Sequence, residues 1–130
     1  MAEDERATGV LPPEAVVVRG GIMLLENLRD NVLNHYDKVL VEEGREEWAL
    51  SVNCVPGLDV EATAKQAARL NRQMCVSTVG AIESLGYELR PDWTDDGHVN
   101  ILFDTEPTDD DLLALRGVFS GPIPNPGQPI

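Results

Sequence analysis

Basic residues are scarce in this chain of 130 residues. Lysine and arginine together number 10 against 23 aspartates and glutamates, for a formal net charge of −13. Only Lys38 and Lys65 are lysines, and the bases are scattered rather than clustered. Nucleic-acid binding needs concentrated positive charge that displaces counterions, so nucleic acid is disfavoured as a partner. Long apolar runs are also missing. A membrane-spanning helix needs about 18 or more apolar residues, and no such run exists, so a soluble chain with no membrane partner is expected. Met1–Glu5 has neither the basic start nor the apolar stretch of a secretory signal, which makes the expected location cytoplasmic. Cysteine is limited to Cys54 and Cys75, with no C-x-x-C spacing, and both are expected as buried free thiols. Together with two well-separated histidines, His35 and His98, they give no zinc signature. Asp92, Asp96 and Gly97 match parts of a calcium loop, but Phe103 stands where a bidentate Glu is required. No structural metal and no cofactor are expected.

What is present is an ordinary apolar content, 42%, in a length that suits one domain. Residues 1–14 read as a flexible acidic arm, 15–120 as a single α+β domain, and 121–130 as an extended proline-rich tail. Ala15–Arg19 reads as a buried strand stopped by Gly20-Gly21. From Ile22 to about Glu43, Leu25, Leu28, Val32, Tyr36 and Val39 recur at helical spacing. Trp48–Val55 alternates as a strand, and a strand–helix–strand run of this length predicts a parallel pair joined by a crossover. Asp59 is the expected cap of a helix running to about Met74, and Ser77 or Thr78 caps a shorter one ending at Gly86. A hairpin follows. With Gly97 in the left-handed conformation as a bulge, Leu89 opposes Ile101, Tyr87 opposes Phe103 and Asp92 opposes His98, which gathers the apolar residues on one face. Thr108–Asp111 reads as a capping box for a last helix. The predicted order is β-α-β-α-α-β-β-α, a four-stranded mixed sheet with helices packed mainly on one face.

Three groups of residues are candidates for function. Arg19, Gly20 and Gly21, at a strand end that opens a helix, could hold an anion on backbone amides and a guanidinium; a tight turn is the plainer explanation. Ser51 and Asn53 are polar positions in a strand expected to be central, where they could line a ligand pocket or bond to a covering helix. His98 opposite Asp92 is the best single candidate for chemistry, with Glu106 as a second acid–base candidate; an exposed cross-strand pair is its plainer alternative. His35 reads as a packing residue at the edge of the first helix's buried stripe.

Asp92, Asp95, Asp96, Asp109 and Asp110, with Pro124 of the tail, are the candidates for contact with a partner. The expected function is therefore an acidic, non-enzymatic interaction module that holds a more basic protein: an inhibitor, immunity, antitoxin-like (toxin–antitoxin) or assembly subunit. Homo-oligomerisation is compatible with this reading. The alternative is a small enzyme or toxin-like domain acting on a nucleotide or NAD-type substrate, with Arg19 on phosphate, Ser51 and Asn53 lining the pocket, and His98 or Glu106 as acid and base.

Overall fold

Apolar stripes and turn residues set the elements. The computed structural model describes residues 11–67, 71–92 and 97–126. Its strands are β1 (Val16–Gly20), β2 (Trp48–Asn53), β3 (Gln73–Thr78), β4 (Glu88–Pro91), β5 (His98–Phe103) and β6 (Ser120–Pro124). Its helices are α1 (Leu25–Glu43), α2 (Val60–Ala67), α3 (Val79–Glu83) and α4 (Asp109–Arg116). Leu28, Val32 and Val39 of α1 are buried, as their spacing requires. Thr78 caps α3 by accepting from the Ala81 amide, and Thr108 with Asp111 forms the capping box of α4.

The sheet corrects the expected architecture. It has six strands, not four, all antiparallel rather than mixed, in the order β4-β5-β2-β1-β3-β6, and it curls into a half-barrel. β1 and β2 pair antiparallel, so the helix between them is not a parallel crossover but returns the chain to the same end of the sheet. Two strands escaped the sequence reading. Met74 and Cys75 of β3 are both buried, so the strand is covered on both faces there and the apolar–polar alternation is lost. β6 carries Pro122 and Pro124, which cannot donate to a ladder and are tolerated only on an edge, where β6 lies beside β3. The edge strand β4 also ends in a proline, Pro91.

Both sheet faces are packed around β1. The larger core joins Val17 and Leu50, Val52, Val99 and Ile101 to Leu28 and Val32 of α1, Ile82 of α3 and Leu112 and Leu115 of α4. On the other face, Val18 and Met74 pack against Ala64 of α2. The β4–β5 hairpin has the register expected of a bulged turn: Leu89 pairs with Ile101, Arg90 with Asn100 and Pro91 with Val99. Gly97 takes φ +70°, its carbonyl accepts from the Cys54 amide, and an added Cβ would lie 2.5 Å from Val55 Cγ2 and 2.6 Å from the Cys54 carbonyl oxygen.

A fork between β1 and β2 fixes the centre of the molecule. The two strands share one register pair, Val18 with Asn53. Beyond that pair, Ser51 in β2 bonds to side chains instead of to β1. The Arg19 guanidinium donates through Nη1 to the Ser51 carbonyl at 2.6 Å, and the Ser51 amide donates to Asn31 Oδ1 of α1 at 3.0 Å. Two side chains thus replace two ladder bonds, because a buried backbone group left unpaired is costly. Asn31→Ala, which strands the Ser51 N–H, is expected to lower stability by about 1–3 kcal/mol. Urea unfolding measures this, and an unchanged midpoint would show that the fork does not depend on Asn31.

Candidate functional site

Side chains alternate across the sheet, so the residues that flank the apolar rows of β2, β4 and β5 meet on the opposite face. Ser51 pairs with Asn100 and Asn53 with His98 across β2 and β5, while Arg90 pairs with Asn100 across β4 and β5. This places Ser51, Asn53, His98, Asn100 and Arg90 on one polar strip, with Asp92 at its end.

Three of these groups form a chain of hydrogen bonds. His98 Nε2 lies 3.1 Å from Ser51 Oγ, and His98 Nδ1 bonds to Asp92 Oδ2. The Asp92 amide donates to the His98 carbonyl at 3.0 Å, which holds the two residues opposite each other. The imidazole is 32% exposed and the Asp92 carboxylate 41% exposed, so the chain of bonds is open to solvent. Asn100, two residues along β5 from His98 and opposite Ser51, is only 4% exposed, and its Oδ1 has no hydrogen-bond partner among the described residues.

A second polar cluster centres on Glu47, whose side chain is 10% exposed. Arg90 donates to both of its oxygens, at 2.7 and 2.8 Å. Arg45 donates to Oε1 at 2.8 Å, and the His35 ring bonds to Oε2 at 2.8 Å. The Arg90 bonds, reinforced by Arg45 and His35, hold the Glu47 carboxyl well below the usual carboxylate range. Glu47 thus joins α1, the turn before β2, and β4. No sequence signal marked it, since its partners come from three distant segments.

Two open cavities adjoin at the far end of the same hairpin. One, of about 410 Å³, is lined by Glu46, Glu47, Trp48, Glu88 and Asp104; the other, of about 320 Å³, by Tyr87, Glu88, Asp104 and Asp111. Leu102 and Phe103 form part of the wall of both. Tyr87 meets Phe103 edge to face at 4.9 Å, and Trp48 stacks on Tyr36 at 3.9 Å. Glu88 and Asp104 make no ion pair among the described residues.

The expected site residues are placed as follows. Arg19 and His98 both reach Ser51, but from opposite faces. Arg19 shares its side of the sheet with Val17 and Cys75, and its burial pulls the guanidinium below its usual value. The Gly21 amide donates to the Gln73 carbonyl at 2.8 Å, and Gly20 lies opposite Met74 in the ladder, where a Cβ would collide with the Asn71 amide. These two glycines extend the β1–β3 ladder. Asn53 lies opposite both Val18 and His98. Glu106 is exposed and apart from the strip. Asp92 is engaged by His98 and Asp109 by Arg29, Asp110 is exposed, and Pro124 sits on β6 opposite Gln73. Asp95 and Asp96 lie outside the described residues, as do residues 1–10 of the arm and 127–130 of the tail. Both cysteines are free and buried, and burial pushes the Cys54 thiol up to about 11. Among the described residues, no three His, Cys, Asp or Glu side chains gather in a metal-binding group, and no helix is long and apolar enough to cross a membrane. No protein-family model, curated protein or solved structure matches the chain.

The Glu47 cluster carries a pH signature. A carboxyl whose folded pKa lies below its ordinary 4.5 stabilises the fold above that pH, and the contribution is lost as the pH falls below it. Glu47→Gln is expected to cost about 1–3 kcal/mol at neutral pH. Its deficit against the parent should shrink below about pH 4. Urea unfolding measured across this range tests the assignment; a deficit independent of pH would contradict it.

Proposed function

We propose that this chain is an acidic interaction module that holds a more basic protein partner, as an inhibitor, immunity, antitoxin-like or assembly subunit would. The observation that supports this reading is the pair of adjoining cavities at the end of the β4–β5 hairpin. They combine Glu46, Glu88 and Asp104 with Trp48, Tyr87 and Phe103. Carboxylates beside aromatic walls suit a guanidinium or ammonium, which gains from both the ion pair and the ring faces. The charge of −13 adds a long-range field that speeds the approach of a basic surface. Glu47, although it lines the cavity, is already answered by Arg45 and Arg90. Glu88 and Asp104 are the groups left to meet a cation.

An arginine-rich peptide is a direct probe, with affinity read by titration calorimetry. The double variant Glu88→Lys/Asp104→Lys is expected to weaken binding about tenfold or more, equivalent to ~1.4 kcal/mol. The control Glu26→Lys/Asp30→Lys on α1 changes net charge equally and should weaken binding less. Raising the salt should weaken the parent's binding. Equal losses in the two double variants would mean that the peptide responds to overall charge alone, and this reading of the cavities would fall.

A further inference from the structure

We infer that Ser51 is an activated nucleophile and that the polar strip is a shallow hydrolytic site for short-chain esters. The inference goes beyond the binding reading and does not rest on it. Ser51 Oγ, His98 and Asp92 stand in the relation of nucleophile, base and orienting acid: Oγ is 3.1 Å from Nε2, and Nδ1 is held by the Asp92 carboxylate. An ionised carboxylate can only accept, so Nδ1 carries the ring proton and Nε2 is left to take the proton of Oγ. The backbone beneath Ser51 is fixed on both sides, by Arg19 on its carbonyl and Asn31 on its amide, so the hydroxyl is presented from a rigid strand. The second observation is Asn100. A nearly buried amide with an unpaired oxygen, opposite Ser51, has no structural return among the described residues. Its Nδ2, the other end of that amide, is the donor for the oxygen that gains charge as Ser51 attacks.

The steps balance without a co-reactant other than water. Ser51 Oγ bonds to the ester carbonyl carbon while its proton passes to His98 Nε2. The carbon–alkoxy bond then breaks and the leaving alcohol takes that proton. Water, losing a proton to His98, attacks the acyl-serine; the acid leaves and Ser51 regains its hydrogen. The strongly acidic surface repels anions, so the substrate is an uncharged or cationic ester. Ser51 and His98 are the catalytic residues, and Asp92 is a positioning residue.

The test uses the full chain with p-nitrophenyl acetate as substrate and a fluorophosphonate that labels activated serines with loss of fluoride. The label is expected on Ser51, found by peptide mass spectrometry, and absent from the Ser51→Ala and His98→Ala variants. Asp92→Asn should lower kcat by tenfold or more with KM unchanged, and Asp92→Glu should restore part of it. Asn100→Leu, which removes the unpaired amide at similar volume, should lower kcat about a hundredfold while remaining folded. The urea midpoint of each variant separates lost chemistry from lost fold. A folded parent that takes no label, a label on another residue, or hydrolysis by Ser51→Ala at the parent rate would each overturn the assignment.

Discussion

The backbone of Ser51 is the point on which the rest of the molecule turns. In a regular antiparallel sheet its amide and carbonyl would both be answered by β1. Here β1 touches β2 at one register pair and then diverges, and the missing bonds come from the side chains of Arg19 and Asn31. Replacing a strand with two side chains lets the sheet open into a fork without stranding buried polar groups. Leu28 and Val32 of α1 then pack with the β2 core residues Leu50 and Val52, while Asn31, on the neighbouring stripe, bonds to the strand itself. Arg19 suits the role because a guanidinium keeps its charge even when burial lowers its pKa. The arrangement has a cost: Arg19 Nε is buried with no partner among the described residues.

The edges of the sheet follow a related logic. A row of unpaired backbone groups invites another strand, and both edge strands carry proline, Pro91 in β4 and Pro122 and Pro124 in β6. β6 is fully exposed, yet it is held at both ends. Ser77 Oγ donates to the Val118 carbonyl just before it, and just after it the Asn125 side chain and amide donate to the carbonyls of Asn71 and Arg72. An exposed, poorly donating strand can thus stay in register without a hydrophobic partner above it. Its composition argues against the addition of a further strand at this edge.

Local signals were legible and long-range ones were not. The buried stripe of α1, the caps at Thr78 and Thr108, and the bulged register that sets Asp92 against His98 all depend on residues within a few turns of each other. Ser51 was visible only as a polar residue in a strand. Its approach to His98 depends on β2 pairing with β5, across 47 positions of sequence, and no local pattern encodes that pairing. The same reason hid Glu47, which draws partners from α1, the turn at Arg45, and β4. The parallel expectation for β1 and β2 failed because strand–helix–strand spacing fixes neither direction nor neighbour. It took β3, doubly buried and so without alternation, to occupy the other side of β1.

Charge is where composition and architecture separate. A genome that favours acids over lysines sets how many carboxylates a chain carries, but not where they remain unanswered. Four of the described arginines are turned inward or onto particular acids: Arg19 on the Ser51 carbonyl, Arg45 on Glu43 and Glu47, Arg90 on Glu47, and Arg29 on Asp109. Arg45 is shared between Glu43 and Glu47, so the Arg45 and Arg90 guanidiniums answer two carboxylates, while Glu88 and Asp104 at the hairpin end make no ion pair among the described residues. The placement sets this ion-paired cluster beside Glu88 and Asp104 and the rings of Trp48, Tyr87 and Phe103. That contrast, rather than the total of −13, is what the proposed cation seat rests on.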